Sequence, residues 1–178
     1  MRIEALLGRQ AGVVALDQAI DCGISVRSVQ CRAADGRWRR LHPRIYLAGG
    51  HRVTPEVRIR AASLWGGPEA VITGPAAAHW HGLVRAPDRI DVTVPAGAKP
   101  RSRPGVALRR RDLDQLDVTS RDGLRIATPA FAALETACAL PDGSAFLDRA
   151  LQRKVAFPEL LDTHHRNAGR PGFAAATP

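Results

Sequence analysis

The chain has 178 residues, 45% of them hydrophobic and 24% charged, which is enough apolar material for a packed core and excludes wholesale disorder. No apolar run approaches the roughly 18–20 residues of a membrane span, and Cys22, Cys31 and Cys138, scattered and without a CxxC pair, argue against a disulfide scaffold or a zinc ribbon. The formal charge of +9, from 26 basic and 17 acidic residues, points towards a polyanionic partner, most simply nucleic acid.

The basic residues are all arginine except Lys99 and Lys154. A GC-rich coding bias accounts for arginine over lysine but not for the excess of positive over negative charge. That excess is uneven: residues 1–50 carry +4, residues 51–125 carry +5, and residues 126–178 are neutral. Met1–Gln10 does not read as a signal peptide, because Glu4 interrupts it and its apolar patch is only Leu6-Leu7. The reducing cytoplasm is the expected home.

Ile3, Leu6 and Leu7 at helical spacing predict a short first helix that Gly12 breaks. A second helix is expected over Ala15–Cys22, with Leu16, Ala19 and Ile20 inward. Ser25 is a good N-cap for a third, running from Val26 to about Ala34 and stopping near Asp35-Gly36. Ala19, Gly23 four residues later and Val29 six beyond that give helix-turn-helix spacing: a small residue where helices cross, a turn glycine, and a valine between the helices. Arg27, Ser28, Gln30, Cys31 and Arg32 then lie on or near the outer side of a recognition helix. Arginine can read guanine edges or phosphate, glutamine can read adenine, and serine can do either. Any two-helix corner with a turn glycine would show the same spacing. The following Arg37–Leu47 reads as a β-hairpin at the wing position, with Arg37, Arg39, Arg40, His42 and Arg44 and no acid between Asp35 and Glu56.

The run from Gln10 to Gly50, around Gly-Arg-Trp-Arg-Arg-Leu-His-Pro-Arg-Ile-Tyr, resembles the winged-helix N-terminal domain of AbiEi-type antitoxins of type IV toxin–antitoxin systems. Arg44 stands where glycine is more usual in that hairpin turn. The resemblance is specific over about forty residues and continues more loosely to about Lys154. It implies a regulator that binds double-stranded DNA at its own promoter and a partner toxin, a nucleotidyltransferase, encoded alongside. Many relatives carry a further nuclease-like C-terminal domain, and the chain stops where that domain would begin.

Beyond residue 50, Thr54-Pro55-Glu56 starts a helix that Gly66-Gly67-Pro68 ends. Val71-Ile72 is a short apolar run, and Thr73-Gly74-Pro75 opens a short helix through His81. A strand is expected over Arg89–Val94. The acid-free stretch Ala96–Arg111 reads as a basic loop leading into a strand at Val106–Arg110. Its Lys99, Arg101, Arg103, Arg109, Arg110 and Arg111 form either a second DNA-phosphate contact or a solvated loop. A further strand fits Leu124–Ala127. Helices begin at Thr128-Pro129, at Ser144 and at Pro158. The expected fold class is α+β: a winged helix-turn-helix over 1–50, a small mixed α/β domain over 51–168 with two or three strands, and a loose tail over 169–178.

Enzyme chemistry finds no motif. A restriction-type nuclease needs an acid two residues before a lysine, but Gln152 and Gly97 stand there before Lys154 and Lys99. There is no P-loop, GxGxxG or HExxH, and no cofactor or metal is expected. His79 and His81 diverge on a helix. The expectation is therefore a DNA-binding, autoregulating antitoxin, not an enzyme, acting as a monomer or weak dimer without a membrane. The alternative is a protein-interaction module: a toxin neutraliser that needs no DNA, or the remnant of a nuclease-fused protein.

Overall fold

Short apolar runs separated by capped helix starts build the first of two units into which the chain divides, Met1–Ala70 and Val71–Pro178. The structure, a computed structural model, describes residues 2–98 and 103–170. In chain order the first unit has α1 (Ile3–Arg9), β1 (Val13–Ala15), α2 (Leu16–Asp21), α3 (Val26–Ala34), β2 (Trp38–His42), β3 (Ile45–Ala48) and α4 (Pro55–Gly66). The strands form an antiparallel sheet in the order β1-β3-β2, so β2 lies at an edge.

The central strand β3 is buried on both faces, and its alternation separates two cores. Tyr46 and Ala48 join Trp38, Val14, Leu6, Ala19 and Val29 on the side of α1–α3. Ile45 and Leu47 join Val13, Val57 and Ala61 on the side of α4. Burial of each valine, leucine or isoleucine here is worth about 1.5–3 kcal/mol, and without α4 the second face would stand in water. This is why the first unit runs to Ala70 and not to residue 50, where the sequence reading divides the chain. Helix α4 itself starts as expected: Thr54 Oγ1 accepts from the Val57 amide at 3.2 Å and Pro55 occupies the first turn.

Two local expectations fail in this unit. Ala11 and Gly12 both adopt positive φ (51° and 82°), turning the chain into a strand, β1, that the sequence reading does not foresee. Ile20, expected inward on α2, is 42% exposed, because the six-residue helix buries only Leu16 and Ala19.

The second unit has β4 (Val71–Ile72), α5 (Gly74–Trp80), β5 (Ile90–Val94), β6 (Val106–Arg110), β7 (Val118–Arg121), β8 (Leu124–Ala127), α6 (Pro129–Ala139), α7 (Gly143–Arg153) and α8 (Phe157–Asn167). The sheet has five strands in the order β6-β5-β4-β8-β7, not two or three. Pairs β5–β6 and β4–β8 are parallel, and β4–β5 and β7–β8 antiparallel. Strand β7 escapes sequence reasoning because Val118-Thr119-Ser120-Arg121 has one apolar residue. Its signal is the turn: Asp122 and Gly123 both take positive φ (52° and 77°), the Asp-Gly hairpin geometry. Helix α7 begins at Gly143, which puts Ser144 inside its first turn instead of at the cap. Both units mix helices and sheet, so the class is α+β. Among the described residues no helix is long and apolar enough to cross a membrane.

Candidate nucleic-acid interface

Helices α2 and α3 meet through a corner that the sequence specifies closely. Ala19 and Val29 are both fully buried, and Gly23 makes the turn with φ 83°. The Gly23 amide donates to Ile20 O at 2.8 Å and the Ile24 amide to Ala19 O at 3.0 Å. Ser25 Oγ accepts from the Ser28 amide at 3.1 Å and lies 3.0 Å from Ser28 Oγ, so both serines serve the cap of α3.

With Val29 inward, Arg27, Ser28, Gln30 and Cys31 are exposed. Arg27 and Gln30 engage no other side chain or carbonyl among the described residues. Arg32 is different: half-buried, its guanidinium lies over the Trp38 ring at 5.1 Å. It braces the helix against the hairpin.

The hairpin β2–β3 does not present its cations together. Cross-strand neighbours share a face. Arg40 pairs with Tyr46 and lies on the α1–α3 side, whereas Arg39 pairs with Leu47 and lies on the α4 side. Both are exposed, and a bulge follows between Arg40 and His42. Two of the predicted cations already hold acids. Arg37 bonds Asp35 at 2.6 Å, and this hydrogen bond holds the Asp35 carboxyl below its ordinary range. Arg44, at φ 64°, donates to Asp17 Oδ1 at 2.5 Å while its carbonyl accepts from the Leu16 amide. His42 is half-buried with its ring 5.8 Å from that of Trp65.

Sequence reasoning misses two further residues of this region, Arg52 and His51. They follow β3 and, with Arg37 and Arg39, line an open groove of about 390 Å³. They stand in the same acid-free run, but no hairpin pattern marks them.

In the second unit the anticipated basic patch is broken up. Lys99 and Arg101 lie outside the described residues. Arg103 and Arg110 are exposed, and Arg110 Nε donates to Ala98 O at 3.2 Å. Arg109 on β6 and Arg111 just beyond its end both turn to Glu135 on α6. Glu135 is fully buried and accepts from Arg109 Nη1 at 3.0 Å, from the Gly74 amide at 2.9 Å, and from Arg111. Arg111 also lies over the Phe131 ring at 5.4 Å. Burial pushes the neighbouring Asp91 carboxyl up to about 6; Arg109 opposes the shift and the Glu135 charge adds to it. The sequence signal for this cluster is Glu135 itself, the one acid in the apolar α6.

The two histidines read as unsuitable for metal each hold a backbone carbonyl. His79 Nδ1 lies 3.0 Å from Val84 O and His81 Nε2 lies 2.8 Å from Ala127 O. Burial lowers the pKa of His81, and the Arg121 and Lys154 charges add to the effect. The neutral ring therefore donates from Nε2 and accepts from Arg121 at Nδ1, 3.3 Å away. Among the described residues no group of three potential metal ligands assembles. Compared with known proteins, the chain matches no family model and no curated protein.

Proposed function

We propose that residues 1–70 form a winged helix-turn-helix that binds double-stranded DNA in a sequence-specific way, and that the protein is a non-enzymatic transcriptional regulator. In this reading α3 enters the major groove with Arg27 and Gln30 towards base edges, and the hairpin serves as a wing on the phosphate backbone. One observation carries it. A helix locked at its inner face by Val29 presents Arg27 and Gln30 unengaged, and it is followed directly by a hairpin edge bearing exposed Arg39 and Arg40. Arg32, Arg37 and Arg44 support the geometry instead, since each already has an internal partner. The antitoxin role, autoregulation of its own promoter opposite a nucleotidyltransferase toxin, rests on the resemblance over Gln10–Gly50. Nuclease footprinting of the upstream DNA tests the reading. It predicts a protected segment whose strongest positions are lost in Arg27→Ala.

A second reading has its own support. On α8, Phe157 is 61% exposed and Leu161, one turn on, is 41% exposed, an apolar stripe suited to a protein partner. Here the second unit neutralises the toxin without DNA. Phe157→Asp with Leu161→Asp would then abolish co-purification with the toxin, while Arg27→Ala would not.

A further inference from the structure

Three arginines of the first unit that α3 does not carry, Arg37, Arg39 and Arg52, meet at one groove. Arg37 and Arg39, two apart along the chain, lie on the face opposite Trp38. Together with His51 and Arg52 they line the open groove of about 390 Å³, and no acidic side chain is among its lining residues. Arg37 is matched by Asp35, but Arg39 and Arg52 are exposed with no hydrogen bond or ion pair among the described residues.

Two close approaches fix this groove. A Cβ at Gly49 would sit 2.7 Å from Arg37 O, so only glycine lets the exit of β3 pass that close to the start of β2. A Cβ at Gly12 would overlap the His51 ring, so the ring is seated on the bare Gly12 backbone, itself at φ 82°. The groove is thus shaped by backbone, and its two uncommitted guanidiniums are exposed.

We infer that this groove is a second phosphodiester-binding site. Arg39 and Arg52 grip the phosphates of the duplex from the side opposite Arg40. Strand β2 is a free sheet edge, so a backbone running along it meets Arg40 on one face and Arg39, His51 and Arg52 on the other. The edge strand would then be straddled by one nucleic-acid strand, not touched at the hairpin tip alone. Residues after the hairpin would add affinity without adding sequence preference. This rests on the reading of the first unit as a DNA binder, and the test separates the two.

The test is fluorescence anisotropy of the full chain on its upstream duplex and on a scrambled duplex across a salt series. Each phosphate that the protein ceases to neutralise lowers the slope of log K against log salt by about 0.9. Arg52→Ala and Arg39→Ala are each expected to lower the slope by about that amount on both duplexes alike, and Arg52→Lys to restore it. Arg52 is exposed, so these variants should melt like the parent, and circular dichroism checks that they do. If Arg52→Ala matches the parent in slope and affinity while Arg27→Ala still weakens the upstream duplex, the groove does not hold DNA and the DNA-binding reading stands. A parent that binds neither duplex overturns both. If pyrophosphate shifts the His51 ring resonances while Arg52→Ala leaves the duplex slope unchanged, the groove serves a small phosphorylated ligand and the inference is wrong.

Discussion

The Arg32 guanidinium lies 5.1 Å over the Trp38 indole, joining the last turn of α3 to the first residue of the hairpin. The Trp38 ring also stands 6.1 Å from that of Tyr46 on β3, so one aromatic body connects helix, edge strand and central strand. An arginine that the sequence offers as a base reader thus packs against the hairpin, between two elements proposed to grip DNA together. Arg32→Ala is expected to lower stability by about 0.5–1 kcal/mol and to weaken upstream and scrambled duplexes by the same factor. A loss confined to the upstream duplex would mean that Arg32 reads a base.

Glu135 gathers Arg109, Arg111 and the Gly74 amide at a fully buried carboxylate. Replacing one partner of such a pair leaves the other charges uncompensated in the interior. Glu135→Gln should therefore destabilise the protein by about 3 kcal/mol in urea unfolding. Arg109→Ala should cost less, because its side chain is 39% exposed and more easily hydrated. Neither change should alter the salt slope of DNA binding, since the proposed interface lies wholly in the first unit.

Asp91 supplies a pH dependence with a definite sign. Its carboxyl titrates at about 6 when folded against an ordinary value of 3.8. Between those values the folded state keeps a proton that the unfolded chain has lost, so the Asp91 contribution to stability falls as pH rises. It is complete below the lower value and gone above the upper one. Asp91→Asn removes the effect. The stability of the parent minus that of the variant should decline from about pH 4 to about pH 6 and level off above. A difference that stays flat or rises across the window contradicts the assignment.

Arg44 holds φ 64° at the hairpin tip, a conformation costing a non-glycine residue about 1–2 kcal/mol, and its exposed pair with Asp17 returns about 0–1 kcal/mol. Arg44→Gly should therefore raise the melting temperature slightly. If it lowers melting clearly, the Asp17 pair is worth more than surface pairs usually are.

How much of this is legible in the sequence depends on where the information sits. The α2–α3 corner is readable residue by residue, because Ala19, Gly23 and Val29 each satisfy a local steric demand. Strand β1 is hidden by its length: Val13–Ala15 is three residues, and it pairs with Leu47, Tyr46 and Ile45, far along the chain. The role of α4 is equally non-local. Its capped start is plain, but only the burial of Ile45 and Leu47 on the second face of β3 assigns it to the first unit. Among the site residues, composition marks the arginines but cannot divide them. Strand alternation sends Arg39 and Arg40 to opposite faces, and tertiary pairing commits Arg109 and Arg111 to Glu135.

The central claim, that α3 reads DNA sequence, is tested most directly by the affinity of the protein for its upstream duplex against a scrambled one at two salt concentrations, in the parent, Arg27→Ala and Gln30→Ala. The account predicts a preference for the upstream duplex that survives higher salt, and loss of about 1–3 kcal/mol of that preference in either variant. Equal, salt-labile binding to both duplexes, unchanged by the two substitutions, would contradict it and leave the charge of the first unit as a generic polyanion surface.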